Sequence, residues 1–262
     1  MSQTSLDLER RGPTAWIWMN RPERHNAFDE TLIRELTEAV TAMENDPSVR
    51  VIGLGGRGKS FSAGADLGWM KRQGEASAAE NLEDARRLAE LFRVLAECSK
   101  PTIARVQGAA MGGGMGLAAA CHICLAAAEA TFATSEVRLG LIPSVISPYV
   151  VRAIGERQSY RYFLTGERIS APQAQEIGLV HEIADTERLD DLVTTIVESL
   201  LAGGPLAQTA AVKLLKAVAN RPVTAKLIDD CVGRIAGLRA TAEAREGLSA
   251  FLEKRSPSWR PS

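Results

Sequence analysis

The sequence has no apolar run approaching the roughly 18 residues that a membrane-spanning helix needs, so we expect no membrane insertion. Residues 1–11 are polar and lack the apolar centre of a signal peptide, which favours a cytoplasmic location. Four cysteines in a chain of 262 residues do not form a disulfide framework and are typical of reduced thiols. A formal net charge of -1 provides no basic field for nucleic acid.

The composition and the order of strand and helix patterns along the chain predict an α/β protein. Apolar residues make up 45% and charged residues 24%, which is ordinary for a globular chain with a substantial core. Strand patterns fall at 14–19, 50–55, 102–106, 123–127, 131–133 and 180–183. Helical patterns fall at 28–44, 80–97 and 189–200, and a mobile loop is expected at 73–79. Only helices are predicted after that, at 206–219, 224–238 and 240–254, so we expect a core of residues 1–200 and a helical region of residues 201–262.

A glycine cluster from Gly112 to Gly116 lies between a predicted strand and a small-residue helical run. Glycines allow the backbone to approach a ligand closely, and a helix start offers unpaired N–H donors with a partial positive charge. This arrangement suits a phosphate or a developing oxyanion. A tight, closely packed turn without a ligand is an equal alternative.

A second small-residue turn runs from Phe61 to Leu67, with the sequence FSAGADL. Asp66 is expected to cap a short helix over residues 67–71. The turn is either a simple capped loop or the source of a second main-chain donor. Two such donors converging on one oxygen make an oxyanion hole.

Glu136 is a lone carboxylate among apolar residues and glycine. Burial raises a carboxyl pKa and prepares the group for proton transfer. An equally weighted alternative is a buried glutamate paired with Arg138 or another arginine.

Two other motifs suggest functions that we consider improbable. Residues 53–60, GLGGRGKS, have the spacing of a nucleotide-binding loop, but Gly64 is a poor residue for the helix that must begin at Lys59 and Ser60. Residues 121–124, CHIC, would need a further ligand cluster to bind metal, and buried thiols usually fill a core. We therefore expect neither nucleotide hydrolysis nor a metal site.

Three stretches together resemble the crotonase (enoyl-CoA hydratase/isomerase) superfamily: residues 61–66, residues 107–114 and residues 135–143. The likeness extends from Asn20 to Arg255. It implies a spiral of strand–strand–helix turns with a C-terminal helical trimerisation region, assembled as a homotrimer or homohexamer.

The resemblance also implies roles for individual residues. The N–H groups of Ala65 and Gly113 would bind the carbonyl of a coenzyme A thioester, and Glu136 would be catalytic. Coenzyme A would be part of the substrate, with no cofactor and no metal. The residues implied in binding it are Arg24, Ala63, Gly64, Asp66 and Leu67, with Phe251 and Lys254 reaching the coenzyme A of a neighbouring subunit.

One departure from the family pattern is that Gly116 stands where its standard hydratases have their first catalytic glutamate. A branch containing methylglutaconyl-CoA and isohexenylglutaconyl-CoA hydratases shares this glycine. We therefore expect hydration of a branched, carboxylated enoyl-CoA, whose carboxylate occupies the room left by Gly116 in a pocket with Trp69 and Ser144. The alternatives are an isomerase or acyl-CoA hydrolase on this scaffold, or a non-catalytic relative that binds CoA esters or RNA.

Overall fold

The computed structural model of the chain describes residues 5–260. It divides into two compact units. The first contains the described part of Met1–Cys98 together with Thr102–Thr194, and the second contains Ser99–Pro101 together with the described part of Thr195–Ser262. No helix within residues 5–260 has both the length and the apolarity to cross a membrane.

The strands of the first unit form two sheets. In chain order they are β1 Leu6–Arg11, β2 Thr14–Met19, β3 Val51–Gly56, β4 Thr102–Val106, β5 Ala109–Met111, β6 Ile123–Ala127, β7 Thr131–Ala133, β8 Ile169–Ser170 and β9 Glu182–Ala184. The larger sheet has the order β1-β2-β3-β4-β6-β9 and is parallel except for the β1–β2 hairpin. The smaller sheet has the order β5-β7-β8.

Ten α-helices lie within the described residues. They are α1 Glu30–Asn45, α2 Leu67–Glu75, α3 Ala78–Glu97, α4 Gly113–Ala120, α5 Ser147–Thr165, α6 Ala171–Glu176, α7 Leu189–Ala202, α8 Pro205–Val218, α9 Ala225–Arg239 and α10 Ala242–Leu252. A short 3-10 helix, Glu136–Leu139, lies between β7 and α5.

The first unit is a spiral in which each turn has a strand of the large sheet, a short extended segment of a second layer, and a helix. The second layer continues beyond β5 and β7, because Phe28 pairs with Ala65 and Ser62 pairs with Ala110 in parallel bridges. Helix α1 follows the first of these segments, α2 the second and α4 the third. The equivalent junctions of successive turns are therefore stacked at one edge of the molecule.

Burial of β2 and β3 explains why their sequences are almost wholly apolar, since parallel strands are covered on both faces. The rings of Trp16 and Trp18 stack 5.0 Å apart and lie over Gly53 and Gly55 of the neighbouring strand. A Cβ at either glycine would come within 2.4 Å of a tryptophan ring. The two glycines thus make room for the two rings on this face of the sheet.

Most predicted elements are found within a few residues of their expected bounds. Helix α1 begins at Glu30, because the Asp29 side chain accepts the Leu32 N–H and caps it. The predicted loop at 73–79 is wrong at its start, since α2 continues to Glu75 and Ser77 already caps α3. The patterns missed β1, β5 and β8, which are short or lie at an edge.

The second unit is helical, as the sequence predicted. Helix α8 begins without a capping side chain of its own, and the carboxylate of Glu243, next to the start of α10, accepts the N–H groups of Leu206 and Ala207 instead. The Trp259 indole donates to the carbonyl of Ala202. Helices α8 and α9 have no fully buried residue within the described chain.

Candidate active site

The backbone around Ala65 is held by pairing on one side. Phe28 N–H donates to Gly64 O at 2.7 Å, and Asp66 N–H donates to Phe28 O at 2.8 Å. These bonds engage the Gly64 carbonyl and the Asp66 N–H, which lie on either side of the Ala65 N–H. The Ala65 N–H itself has no acceptor among the described residues. Ala65 is exposed, so this N–H belongs to an open surface that a ligand can reach.

The Gly113 N–H is the first of helix α4, where no intrahelical acceptor exists. Gly112 precedes it with φ 49 and ψ -116, a conformation that only glycine adopts without strain. Its N–H donates to Ala133 O, and its carbonyl accepts the Gly116 N–H. The start of α4 therefore presents an unpaired donor in a fixed direction.

Hydrogen bonds bring the segments carrying Ala65 and Gly113 side by side. Met111 N–H donates to Ser62 O at 2.9 Å, and a Cβ at Gly114 would lie 2.7 Å from that same carbonyl. The ring of Phe28 packs on Gly113, at 3.1 Å from the position of a Cβ there. Both unpaired donors thus lie at junctions between the second layer and a helix, in consecutive turns of the spiral.

Glu136 comes from the next turn of the spiral, at the start of its 3-10 helix. Its Oε1 lies 3.1 Å from where a Cβ of Gly112 would be, so the carboxylate rests against the residue that precedes Gly113. The Leu141 N–H, donating to Glu136 O, holds the loop that follows. The structure therefore places the acid beside the first donor of α4.

The surroundings of Glu136 favour its protonated form. Burial raises the pKa of its carboxyl, and a hydrogen bond from its own backbone N–H opposes this less strongly. Its Oε2 is buried without a hydrogen-bond partner in the described chain. The alternative pairing with Arg138 is wrong, because that guanidinium donates to the carbonyl of Thr165.

Asp66 links the site to a basic surface. Its Oδ1 accepts the N–H groups of Gly68 and Trp69 and caps α2, as predicted. Its Oδ2 lies 3.3 Å from Arg24 and 3.9 Å from Arg21. Burial acts to raise the pKa of Asp66, but the two backbone hydrogen bonds and the two arginines together lower it. An ionised Asp66 therefore anchors the exposed Arg24 near the turn that contains Ala65.

The space beside Gly116 is filled, which corrects the expectation of an open pocket there. A Cβ at Gly116 would lie 2.3 Å from Ile146 Cγ2, 2.8 Å from Ile146 Cβ and 3.0 Å from Phe92 Cε1. Both of these side chains are buried. The hypothesis that a substrate carboxylate occupies the room left by Gly116 is therefore wrong for this structure.

The remaining predicted residues lie in different surroundings. Ala63, Leu67 and Ser144 are exposed, and Gly64 is buried with φ 92. Trp69 is buried, and its Nε1–H has no acceptor within residues 5–260. In the second unit, Phe251 on α10 and Lys254 just after it are exposed. Their contact with coenzyme A stays a prediction, as do the roles of the other residues.

The two rejected motifs have structural explanations. No helix begins at Lys59 or Ser60, since the first helix after β3 begins at Leu67. Cys121 and Cys124 are buried, and burial raises the pKa of both thiols, that of Cys124 to about 12. No cluster of three or more potential metal ligands is found among the residues that the structure describes.

Sequence reasoning missed two residues that shape the site. Gly112 was treated as one of several glycines, although its contact with Glu136 distinguishes it. Ile146 was not among the residues assigned to the site. No local pattern identifies either contact, because each joins residues at least 24 positions apart.

Stacked strand–strand–helix turns, two unpaired main-chain donors and one half-buried acid define the class of acyl-thioester enzymes with a crotonase fold. The comparisons agree. The Enoyl-CoA hydratase/isomerase family matches residues 9–262. A crystal structure of an enoyl-CoA hydratase from Shewanella pealeana superposes with a TM-score of 0.94 at 41% identity, covering 97% of this chain and 96% of that one.

Curated relatives also match along their whole length. A crotonyl-CoA hydratase of Syntrophomonas wolfei is 36% identical, with 99% of both chains covered. A 2,3-dehydroadipyl-CoA hydratase of Escherichia coli is 31% identical, with 98% of this chain and 99% of the relative covered. The chain belongs to the enoyl-CoA hydratase/isomerase family. The predicted fold class and the prediction of an enzyme of this type are confirmed.

Proposed function

We propose that the protein hydrates the 2,3 double bond of an enoyl-CoA thioester. The observation that carries this proposal is the position of Glu136, whose carboxylate lies against Gly112 while the adjoining Gly113 N–H is unpaired. Family membership supports the same reaction. The two main-chain donors and the acid are the groups that such a reaction requires.

The thioester oxygen accepts hydrogen bonds from the N–H groups of Ala65 and Gly113. These bonds withdraw electron density from the double bond and stabilise the enolate that forms. Loss of one such donor typically costs about 10²–10³ in rate. Glu136, as the carboxylate, removes a proton from the water that attacks C3, and the protonated Glu136 then returns this proton to C2 of the enolate. General acid–base catalysis of this kind contributes about 10²–10⁴.

The acyl group is proposed to be branched and carboxylated, as in methylglutaconyl-CoA. The two curated relatives are named for crotonyl and 2,3-dehydroadipyl groups, so family likeness alone leaves the choice open. Support comes from the indole N–H of Trp69, which is a buried hydrogen-bond donor without an acceptor in the described chain. Trp69 lines a cavity of about 410 Å³ with two arginines and four acids, and both arginines are paired with acids, so the indole is the donor proposed for the acyl carboxylate.

Coenzyme A is proposed to lie along the exposed turn 63–67, with Arg24 near its phosphates. Arg24 is 57% exposed at its side chain, so it can turn from Asp66 towards an anion. Phe251 and Lys254 are proposed to contact coenzyme A bound to a neighbouring subunit. This role requires assembly, for which the second unit offers a surface.

The second unit is proposed to be the assembly region of a homotrimer or homohexamer. Its helices expose many large apolar side chains, far more than a monomer usually leaves uncovered in one region. Three of them follow one another on the same face of α9. The exposed residues are Leu206, Leu215, Val223, Ile228, Val232, Ile235, Leu248, Phe251 and Leu252.

One observation favours a second candidate, an enoyl-CoA isomerase. Because Ile146 and Phe92 fill the space beside Gly116, Glu136 is the one acid that residues 5–260 place against this part of α4. Isomerisation moves a proton between two carbons of the substrate and needs only one acid–base group. Hydration must in addition position and activate a water molecule.

The test is a panel of straight, branched and carboxylated enoyl-CoA thioesters, with products identified by mass. Hydration adds one water, isomerisation adds nothing, and hydrolysis releases free CoA. We expect Glu136→Gln to lose about 10²–10⁴ in kcat while its affinity for CoA esters remains. Glu182→Gln, at an exposed glutamate on β9, is the control and should keep full activity. Full turnover by Glu136→Gln would refute the mechanism, and equal hydration of crotonyl-CoA and methylglutaconyl-CoA would refute the acyl specificity.

A further inference from the structure

One face of helix α4 is contacted by two side chains from the same loop region. The Gly112 carbonyl accepts the N–H of Gly116, so the two glycines lie about one helical turn, roughly 6 Å, apart along the helix axis. Glu136 Oε1 lies against Gly112, and Ile146 Cγ2 lies against Gly116. The acid and the isoleucine therefore contact positions about one turn apart at the start of α4.

The position of Ile146 is fixed by its backbone. It directly precedes α5, and its carbonyl accepts the N–H groups of Tyr149 and Val150. Its side chain is 3% exposed. Because both Cβ and Cγ2 approach the Gly116 position, rotation about χ1 cannot clear that space.

The surrounding wall is apolar. Phe92 is fully buried, contacts the same Gly116 position and packs against Tyr149 with ring centroids 5.8 Å apart. Hydrocarbon thus surrounds the Gly116 position, about one turn along α4 from the contact of Glu136 with Gly112.

We propose that Ile146 is a specificity-determining residue, which limits the size of the acyl substituent next to the carbon that Glu136 serves. The inference rests on the proposed function, because it takes Glu136 as the group at the reacting carbon. In an acyl site of this kind, one methylene group more or less changes kcat/KM by about 10- to 200-fold. The side chain of Ile146 therefore sets an upper limit on the substituent at C3.

The experiment compares 2-enoyl-CoA thioesters that carry hydrogen, methyl or ethyl at C3. Ile146→Ala removes Cγ2 and opens space beside Glu136, and the ethyl-to-methyl ratio of kcat/KM should rise at least about 10-fold. Ile146→Val keeps Cγ2 and the Gly116 contact, and should change the ratio less. For Ile146→Ala, the ethyl-to-methyl ratio of affinities for saturated acyl-CoA thioesters, measured by calorimetry, should also rise.

The double variant Gly116→Ala with Ile146→Ala provides the decisive measurement. The new methyl at 116 occupies part of the space left by the Ile146 side-chain atoms beyond Cβ, with the retained alanine Cβ shifting from its 2.8 Å separation, so the ratio should return towards the wild-type value. A residue with a merely structural role would change stability without this reversal. If Ile146→Ala alone does not fold, the substrate ratio can still be measured in the double variant and in Ile146→Val.

An unchanged substrate ratio in folded Ile146→Ala, in both turnover and binding, would overturn the proposal. A shifted ratio that the double variant does not reverse would also overturn it, because filling of that space would then not be the cause. Failure of the proposed function would look different, since the wild-type protein would hydrate none of the thioesters while the binding ratios still reported on Ile146.

Discussion

Replacing Gly112 with alanine should damage the candidate site through two effects that can be separated. The backbone there has φ 49 and ψ -116, which an L-residue adopts only under strain. The added Cβ would lie 3.1 Å from Glu136 Oε1, whereas ordinary van der Waals contacts begin at 3.4 Å. The methyl group therefore strains the start of α4 and pushes the acid away from it.

Each effect has an expected size. Holding a non-glycine residue in such a conformation costs about 1–3 kcal/mol of folding free energy. A misplacement of roughly 1 Å at a reacting group lowers the rate about 10²-fold, so the shift of about 0.3 Å from 3.1 to 3.4 Å should lower kcat about 4-fold.

The assay pairs Gly112→Ala with Gly12→Ala. Gly12 lies in the β1–β2 turn with φ 57, and a Cβ there has nothing within 4 Å. Urea unfolding should show a loss of stability in both variants, while only Gly112→Ala should lose activity towards enoyl-CoA. If Gly112→Ala keeps wild-type kcat at a stability equal to that of Gly12→Ala, the positioning of Glu136 by Gly112 is refuted.

Three further predictions concern stability and binding. Because burial raises the pKa of Glu136 above its ordinary value of 4.5, the stability from its protonated form is present below 4.5 and is lost as pH rises through the raised pKa. Glu136→Gln should therefore match the wild type in urea unfolding at about pH 4 and exceed it at about pH 8; the same difference at both pH values would contradict this. Gly53→Ala, whose Cβ would meet the Trp16 ring at 2.4 Å, should lose about 1–3 kcal/mol without changing kcat, measured by unfolding and steady-state kinetics. Asp66→Ala should lose about 1 kcal/mol of capping energy, and Asp66→Asn should retain it; equal stability of the two would show that the cap is unimportant.

Local patterns were sufficient for elements whose stability depends on local chemistry. Helix α1 was predicted because its apolar residues recur on one face and Asp29 can cap it, and both features depend only on neighbours in sequence. The same holds for the helix capped by Asp66, although its end was placed too early. Strand β5 was missed because its residues adjoin the glycine cluster and were assigned to it, and β8 was missed because two residues carry too little pattern to identify a strand.

For the candidate site, the sequence indicated the residue types but left their neighbours undetermined. Glu136 was weighed equally as a proton-transfer group and as a partner of Arg138 or another arginine. Packing decided against Arg138, because that guanidinium is held by the Thr165 carbonyl, 27 residues away. Gly116 was interpreted as empty space because it has no side chain and a branch of the family shares it, until the position of Ile146 showed that the space is filled.

By itself the sequence determined the α/β class, the helical second region, the caps of α1 and α2, and the family, all of which depend on residue order. Only the tertiary structure decided that the unpaired N–H groups of Ala65 and Gly113 lie at neighbouring junctions of the spiral with Glu136 beside them. It also decided that Ile146 closes the space at Gly116. The physical reason is that these contacts join residues from different turns of the spiral, and only the packing of those turns sets the distances between them.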